Sequence, residues 1–173
     1  VKNKKGRLYI RMDIKKRLGG FNTTVALFNS NLLETICANE GAFVSSQDVL
    51  FQPSITLKAQ EGAEIEALLD VQKVKTKTGS GGIVSLKGAA KVQDHSAVTG
   101  GIVKAETLDS EQVEVRVKAG GKAAVRATEL AEIKVSLGGT VRVYGEPKKL
   151  VQSVAIGGNI EQIKNEEEPI PNE

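Results

Sequence analysis

Between Val113 and Val143 the hydrophobic residues fall largely on every second position. Val113, Val115 and Val117 lead into one glycine pair; Ile133, Val135 and Leu137 lead into the next. The same alternation follows the glycines, at Val84 and Leu86, Val103 and Ala105, Ala123 and Val125, Val141 and Val143. Charged or small residues stand between them: Glu114, Arg116 and Lys118, then Glu132, Lys134 and Ser136. Successive side chains of a strand point to opposite faces. Period two with β-branched residues therefore predicts strands with one buried and one wet face.

The strands repeat. Gly41, Gly62, Gly82, Gly101, Gly121, Gly139 and Gly158 each open an alternating run, at steps of 21, 20, 19, 20, 18 and 19 residues. "TICANEGAFV" from Thr35 and "TLKAQEGAEI" from Thr56 share Thr, Ala, Glu, Gly and Ala in register. A twenty-residue unit cannot bury its own apolar face, so it must stack on its neighbours. It also leaves no room for crossover helices. Equivalent strands must then pair directly and in parallel, about 4.8 Å apart. The expected fold is all-β, a parallel β-helix or solenoid with about 20-residue rungs. Val84, Val103, Ala123 and Val141 should form one inward column, and Val117, Val135 and Val154 another.

Glycines should make the corners, with further corners at Gly88 and at Tyr144–Pro147. Val44 and Ile65 fall one position later than the rest, which predicts a bulge or altered corner in the first two units. "RLYIRM" and "TTVALF" read as strands, with "KKRLGG" as a turn region between them. Residues 1–163 are expected to form one domain. The acidic segment 164–173, with two prolines, is expected to be a poorly ordered tail.

Composition narrows the core. Trp is absent, with four Phe and two Tyr, so the interior must be built from Val, Ile, Leu and Ala. The net charge of +3 predicts no partner by itself. The first twenty residues carry eight Lys or Arg against one Asp. Without an aromatic platform or nucleic-acid motif, that cluster reads as a protected edge strand, and no nucleic-acid partner is expected. Cys37 is the single cysteine and excludes an intrachain disulfide; it is expected as a buried or half-buried structural thiol. No apolar run is long enough for a transmembrane segment. A start at Val1 suggests a processed or truncated chain.

Candidate chemistry lies in two outward columns. Lys75, Asp94, Glu114, Glu132 and Val151 stand seven places before the second glycine of each pair; Lys77, Ser96, Arg116, Lys134 and Ser153 stand five places before it. Lys77, Asp94, Glu114, Arg116, Glu132 and Lys134 thus define a possible surface-binding face. Carboxylates beside Lys or Arg are also what a polysaccharide-cleaving β-helix needs. The simpler reading is an exposed ladder of opposite charges. His95, the single histidine, should point inward beside Thr78, Ala97 and Thr99 as a hydrogen-bonded core residue. Asp48, Asp70 and Asp109 recur near corners, where Asx-turns account for them. No phosphate loop, dinucleotide fingerprint or zinc spacing occurs. No catalytic, metal or cofactor-binding residue is assigned.

With the rungs aligned, "LGGTVRVYGEPKKLVQSVAIGGNI" resembles the closing signature of a bacterial family, the head GIN domain or auto-transporter adhesin family. Tyr144, Gly145, Pro147 and Gly157-Gly158 carry the likeness, with "EGAEIEA" and "SGGIVSLKGAAK" similar to its middle rungs. The resemblance spans about Leu8 to Ile163. It implies a right-handed β-helix exported to the envelope, periplasm or surface of Gram-negative bacteria, often as a lipoprotein, and it brings no catalytic residues. Members usually carry further strands ahead of "GRLYIRM", so an N-terminal cap is expected to be missing. The function expected is a non-catalytic binding or adhesion module for a glycan or envelope protein, with a homo-oligomer open. A carbohydrate lyase or hydrolase and a structural envelope-assembly protein are the alternatives.

Overall fold

The computed structural model describes residues 1–11 and 23–164. It is all-β and divides into two compact units, Val1–Leu32 and Leu33–Glu173. In the first, β1 (Lys2–Lys4) and β2 (Arg7–Tyr9) pair antiparallel. Lys5 and Gly6 both take positive φ, 51° and 75°, as a two-residue hairpin loop requires. "TTVALF" forms no strand. Val25, Leu27 and Phe28 are exposed there, and without a partner strand alternation alone does not hold a ladder. The expected turn at residues 15–20 and tail residues 165–173 lie outside the described residues.

The second unit is a stack of about seven turns. Its strands are β3 (Thr35–Ala38), β4 (Phe43–Ser45), β5 (Leu50–Gln60), β6 (Glu64–Gly79) and β7 (Ile83–Val98). They continue as β8 (Ile102–Asp109), β9 (Gln112–Lys118), β10 (Lys122–Arg126) and β11 (Leu130–Ser136). The last are β12 (Gly139–Tyr144), β13 (Lys149–Ala155) and β14 (Gly158–Gln162). All pairings in this unit are parallel and run between successive turns. They form two ladders. The first joins β4, the start of β6, the start of β7, β8, β10, β12 and β14; the second joins β3, β5, the ends of β6 and β7, β9, β11 and β13. β7 switches partner from β8 to β9 between Ala89 and Val92. The chain therefore changes face just past Gly88, which remains within a strand at φ 105°. The strand does break after Tyr144, where Gly145 and Glu146 take positive φ, as the glycine-proline turn predicts.

The inward columns follow the alternation. Val44, Ile65, Val84, Val103, Ala123, Val141 and Ile160 occupy one column of the first ladder. Val84, Val103, Ala123 and Val141 are buried. No bulge separates the first two units, because Ala42 and Ala63 stand where later turns have Gly82, Gly101 and Gly121. The irregularity lies elsewhere: Ser85 and Lys87 align with Lys104 and Thr107, so β8 carries an extra residue there. Val117 and Val135 are buried in the second ladder, but Val154 is 50% exposed, since among the described residues no further turn stacks on β13.

The main corner is a pair of residues with positive φ, such as Ser80-Gly81, Thr99-Gly100, Ala119-Gly120 and Leu137-Gly138. Leu137 and Thr99 belong to these corners and are exposed, not inward as the alternation predicts. The reversal takes two residues out of the pleat. A third residue then passes close to the turn below: a Cβ on Gly82 would lie 2.2 Å from the Ala59 carbonyl oxygen. Glycine is needed at Gly81 for its φ and at Gly82 for contact.

Candidate binding face on the second ladder

Pairing register assembles the expected columns. Lys75, Asp94, Glu114, Glu132 and Val151 align across the second ladder, and so do Lys77, Ser96, Arg116, Lys134 and Ser153. Both columns point outward because their neighbours Val74, Thr76, Val115, Val117, Ile133 and Val135 are buried.

The charges are not a uniform ladder. Asp94 is the centre. Its Oδ2 accepts a 2.8 Å hydrogen bond from Lys75 Nζ, and its Oδ1 lies 3.3 Å from Arg116 Nη1. Arg116 Nη1 also reaches Glu114 Oε1 at 2.7 Å. Asp94 is 9% exposed, so long cationic stems cover it from both neighbouring turns. Burial alone pushes its carboxyl up. The hydrogen bond and charge of Lys75, with Arg116 and Lys73, outweigh that and hold it below the usual carboxylate value. Glu132 and Lys134 lie in the same columns, but no ion pair within 4 Å joins either among the described residues. Glu132 has Glu114 beside it in its own column. Lys77, exposed, has Lys58 on one side and Ser96 on the other.

Lys58 and Lys73 extend the face beyond the six expected residues. β6 turns Lys73, Lys75 and Lys77 outward in succession, and Lys58 of β5 pairs with Lys77. The stretch "KVKTK" shows this on period two alone. Earlier in β6, Glu64, Glu66 and Asp70 alternate with buried Ile65, Ala67 and Leu69. One strand thus presents acid on the first ladder and base on the second.

Behind Asp94 the core is polar. His95 is fully buried, as expected of an inward histidine. Its Nδ1 lies 2.8 Å from Thr76 Oγ1 and its Nε2 lies 2.6 Å from Gln93 Oε1. Gln93 Nε2 donates to the Leu108 and Arg126 carbonyls at 3.1 and 3.2 Å. The amide oxygen can only accept, so Nε2 carries the proton and Nδ1 accepts from the threonine hydroxyl. Burial pushes the imidazole down to about 4, against the nearby Asp94 charge that raises it. The chain is satisfied on every side and points away from the outer face. Cys37 is exposed on β3, not buried as expected. Ile36 and Ala38 face the core, so the residue between them must face out.

Fold and face together define a repeat-built β-solenoid that presents charged outer sheet faces. The chain belongs to the family described as "Putative auto-transporter adhesin, head GIN domain", whose model matches residues 1–147. That match ends within the closing stretch carrying the likeness, before β13 and β14. No curated protein matches the chain. Its structure is similar to a crystal structure of a putative adhesin from Bacteroides fragilis NCTC 9343, at 23% identity and a TM-score of 0.66. The similarity covers 70% of this chain and 56% of that one, so the chain spans little more than half of that protein. Among the described residues no helix is long and apolar enough to cross a membrane.

Proposed function

We propose that this chain is a non-catalytic binding module of the bacterial cell envelope or surface. It uses the outer face of the second ladder, with Lys58, Lys73, Lys77, Asp94, Glu114, Arg116, Glu132 and Lys134, to hold an anionic glycan or an acidic envelope protein. The observation that carries this reading is the row of lysines on β6 with Lys58 beside it, where three ammonium groups have no ion pair within 4 Å among the described residues. A regular sheet face repeats its side chains at fixed spacing, which suits a polymer with repeated charges. The family description and the neighbour's description as an adhesin support a surface role. A general acid needs its carboxyl raised by burial, whereas Asp94 is held low by its cations. That supports binding without turnover.

The test is binding of defined acidic and neutral polysaccharides to the chain and to a Lys58→Ala/Lys73→Ala/Lys77→Ala variant, while new reducing ends and unsaturated products are assayed. The expected result is salt-sensitive binding of the acidic polymers, weakened at least about tenfold in the variant, with no cleavage. Cleavage that disappears in Glu114→Gln or Glu132→Gln would replace this reading with an enzyme. Equal binding by the variant would remove the face from it.

A further inference from the structure

The outward residues of the second ladder sort by column rather than by strand. Lys58, Lys77, Ser96, Arg116 and Lys134 stand side by side on β5, β6, β7, β9 and β11, with Cys37 before them and Ser153 after. That column holds no acidic residue among the described residues. The column next to it, two residues earlier on each strand, holds Lys75, Asp94, Glu114 and Glu132. Acids therefore border the first column on three strands in a row. On its other side Val98, Lys118 and Ser136 align, following Gln60 and Gly79. The single charge of that flank is positive. Beyond it the corner residues Ser80, Thr99, Ala119 and Leu137 are uncharged, and the corner's acids, Glu40 and Glu61, fall on the two turns before. The lane between the acid column and the corner runs along the stack, across the strands.

We infer that a linear acidic polysaccharide lies along this lane, across the strands, with its anionic groups against Lys58, Lys77, Arg116 and Lys134. This rests on the binding reading above and adds the direction, the length and the class of the ligand. A polyanion laid along β9 or β11 would cross Glu114 or Glu132, whereas one laid across the strands meets no carboxylate in the lane. From Lys58 to Lys134 the lane is four strand spacings long, about 19 Å. A β-linked chain of sugar rings advances by close to one strand spacing per ring, so its rings stay in step with the strands. An extended peptide advances by about 3.3 Å per residue and turns alternate side chains away, so its acids fall out of step. Arg116 is engaged at Nη1 by Asp94 and Glu114, but a guanidinium carries five donors and that engagement does not exhaust it. Ser96 supplies a hydroxyl at the middle of the lane. No aromatic ring stands in the lane or its flank, so the sugars are held by charge and not by stacking, which selects acidic polymers over neutral ones. Lys73 lies two columns away, beyond Lys75, and attracts the polymer without entering the lane.

The probe is a series of β-linked oligomannuronates, dimer to octamer, with one carboxylate on every ring, titrated calorimetrically into the full chain. Affinity is expected to climb from dimer to hexamer and then to level. Lys134→Ala should weaken the hexamer at least about threefold and the dimer less than about twofold, because a dimer is held at Lys58 and Lys77. Ser96→Glu sets an acid in the middle of the lane and should weaken the hexamer at least about tenfold, whereas Lys73→Ala should change it less than about twofold. The charged residues outside the lane, Glu166, Glu167 and Glu168 among them, are otherwise the same in every variant and cancel in each comparison. The reverse pattern, with Lys73→Ala weakening the hexamer and Lys134→Ala leaving it unchanged, would overturn the direction and leave the face as a binding site. Equal affinity for dimer and octamer would overturn the length. Tighter binding of a glutamate hexapeptide than of the hexamer would overturn the glycan. Binding of no acidic oligomer or polysaccharide at all would overturn this inference together with the function it rests on.

Discussion

His95 Nδ1 accepts a 2.8 Å hydrogen bond from Thr76 Oγ1, the residue one turn earlier in the same inward column. The imidazole is neutral and its surroundings suit that form. A proton on Nδ1 would face a hydroxyl that is donating to it. The unfolded imidazole takes up its proton near 6.5, the folded one only near 4. Between those values the unfolded state binds more protons, so stability falls as pH drops from about 6.5 to 4. The loss attributable to His95 is on the order of 3 kcal/mol at its full extent. Denaturant melts across this range should show a slope that His95→Gln removes, whatever its effect at pH 7. Parallel profiles for the two proteins would refute the assignment.

Asp94 is the other titrating group of consequence. Asp94→Asn leaves Lys75 and Arg116 facing each other across an uncharged amide. The expected cost is about 1–2 kcal/mol at low salt, since both cations are partly solvated. The folded carboxyl is depressed, so its contribution is present above the unfolded value near 3.8 and is lost as pH falls through the folded one. Lys134→Ala should cost about 0.5 kcal/mol or less. Equal costs would show that Asp94 is no better held than the surface lysine.

One column tests burial along its length. Val135→Asp puts an unpaired charge into a dry stack and should cost several kcal/mol, on the order of 3–5. Val154→Asp, one turn on and 50% exposed, should cost about 1 kcal/mol or less. Similar losses in chemical melts would mean the last turn is covered.

The corner separates two reasons for glycine. At Gly81, φ is 75° and nothing lies within 4 Å of where a Cβ would stand, so Gly81→Ala should cost about 1–2 kcal/mol of backbone strain. At Gly82 the added carbon would meet the Ala59 carbonyl at 2.2 Å, and a backbone must move. Gly82→Ala is expected to cost more than Gly81→Ala by at least about 1 kcal/mol. The reverse order in denaturant melts would show that the turns do not approach as closely as the ladder places them.

The amino-acid sequence by itself determined the strands, their inward and outward residues and the repeat. Each is local: period two and a recurring corner can be read within twenty residues. It also placed Lys75 beside Asp94 and Asp94 beside Glu114, because in a solenoid sequence offset is spatial neighbourhood. What it left to the tertiary structure depends on the third dimension. Leu137 and Thr99 alternate correctly yet face water, since φ reverses at the corner. Val154 has the pattern of a core residue, but burial needs a following turn. Cys37 lies among β-formers, and only the orientation of Ile36 and Ala38 turned it outward. Asp94 reads as one exposed carboxylate among several. Its burial comes from two cationic side chains on the turns before and after it, and their meeting is a matter of geometry that no single rung contains.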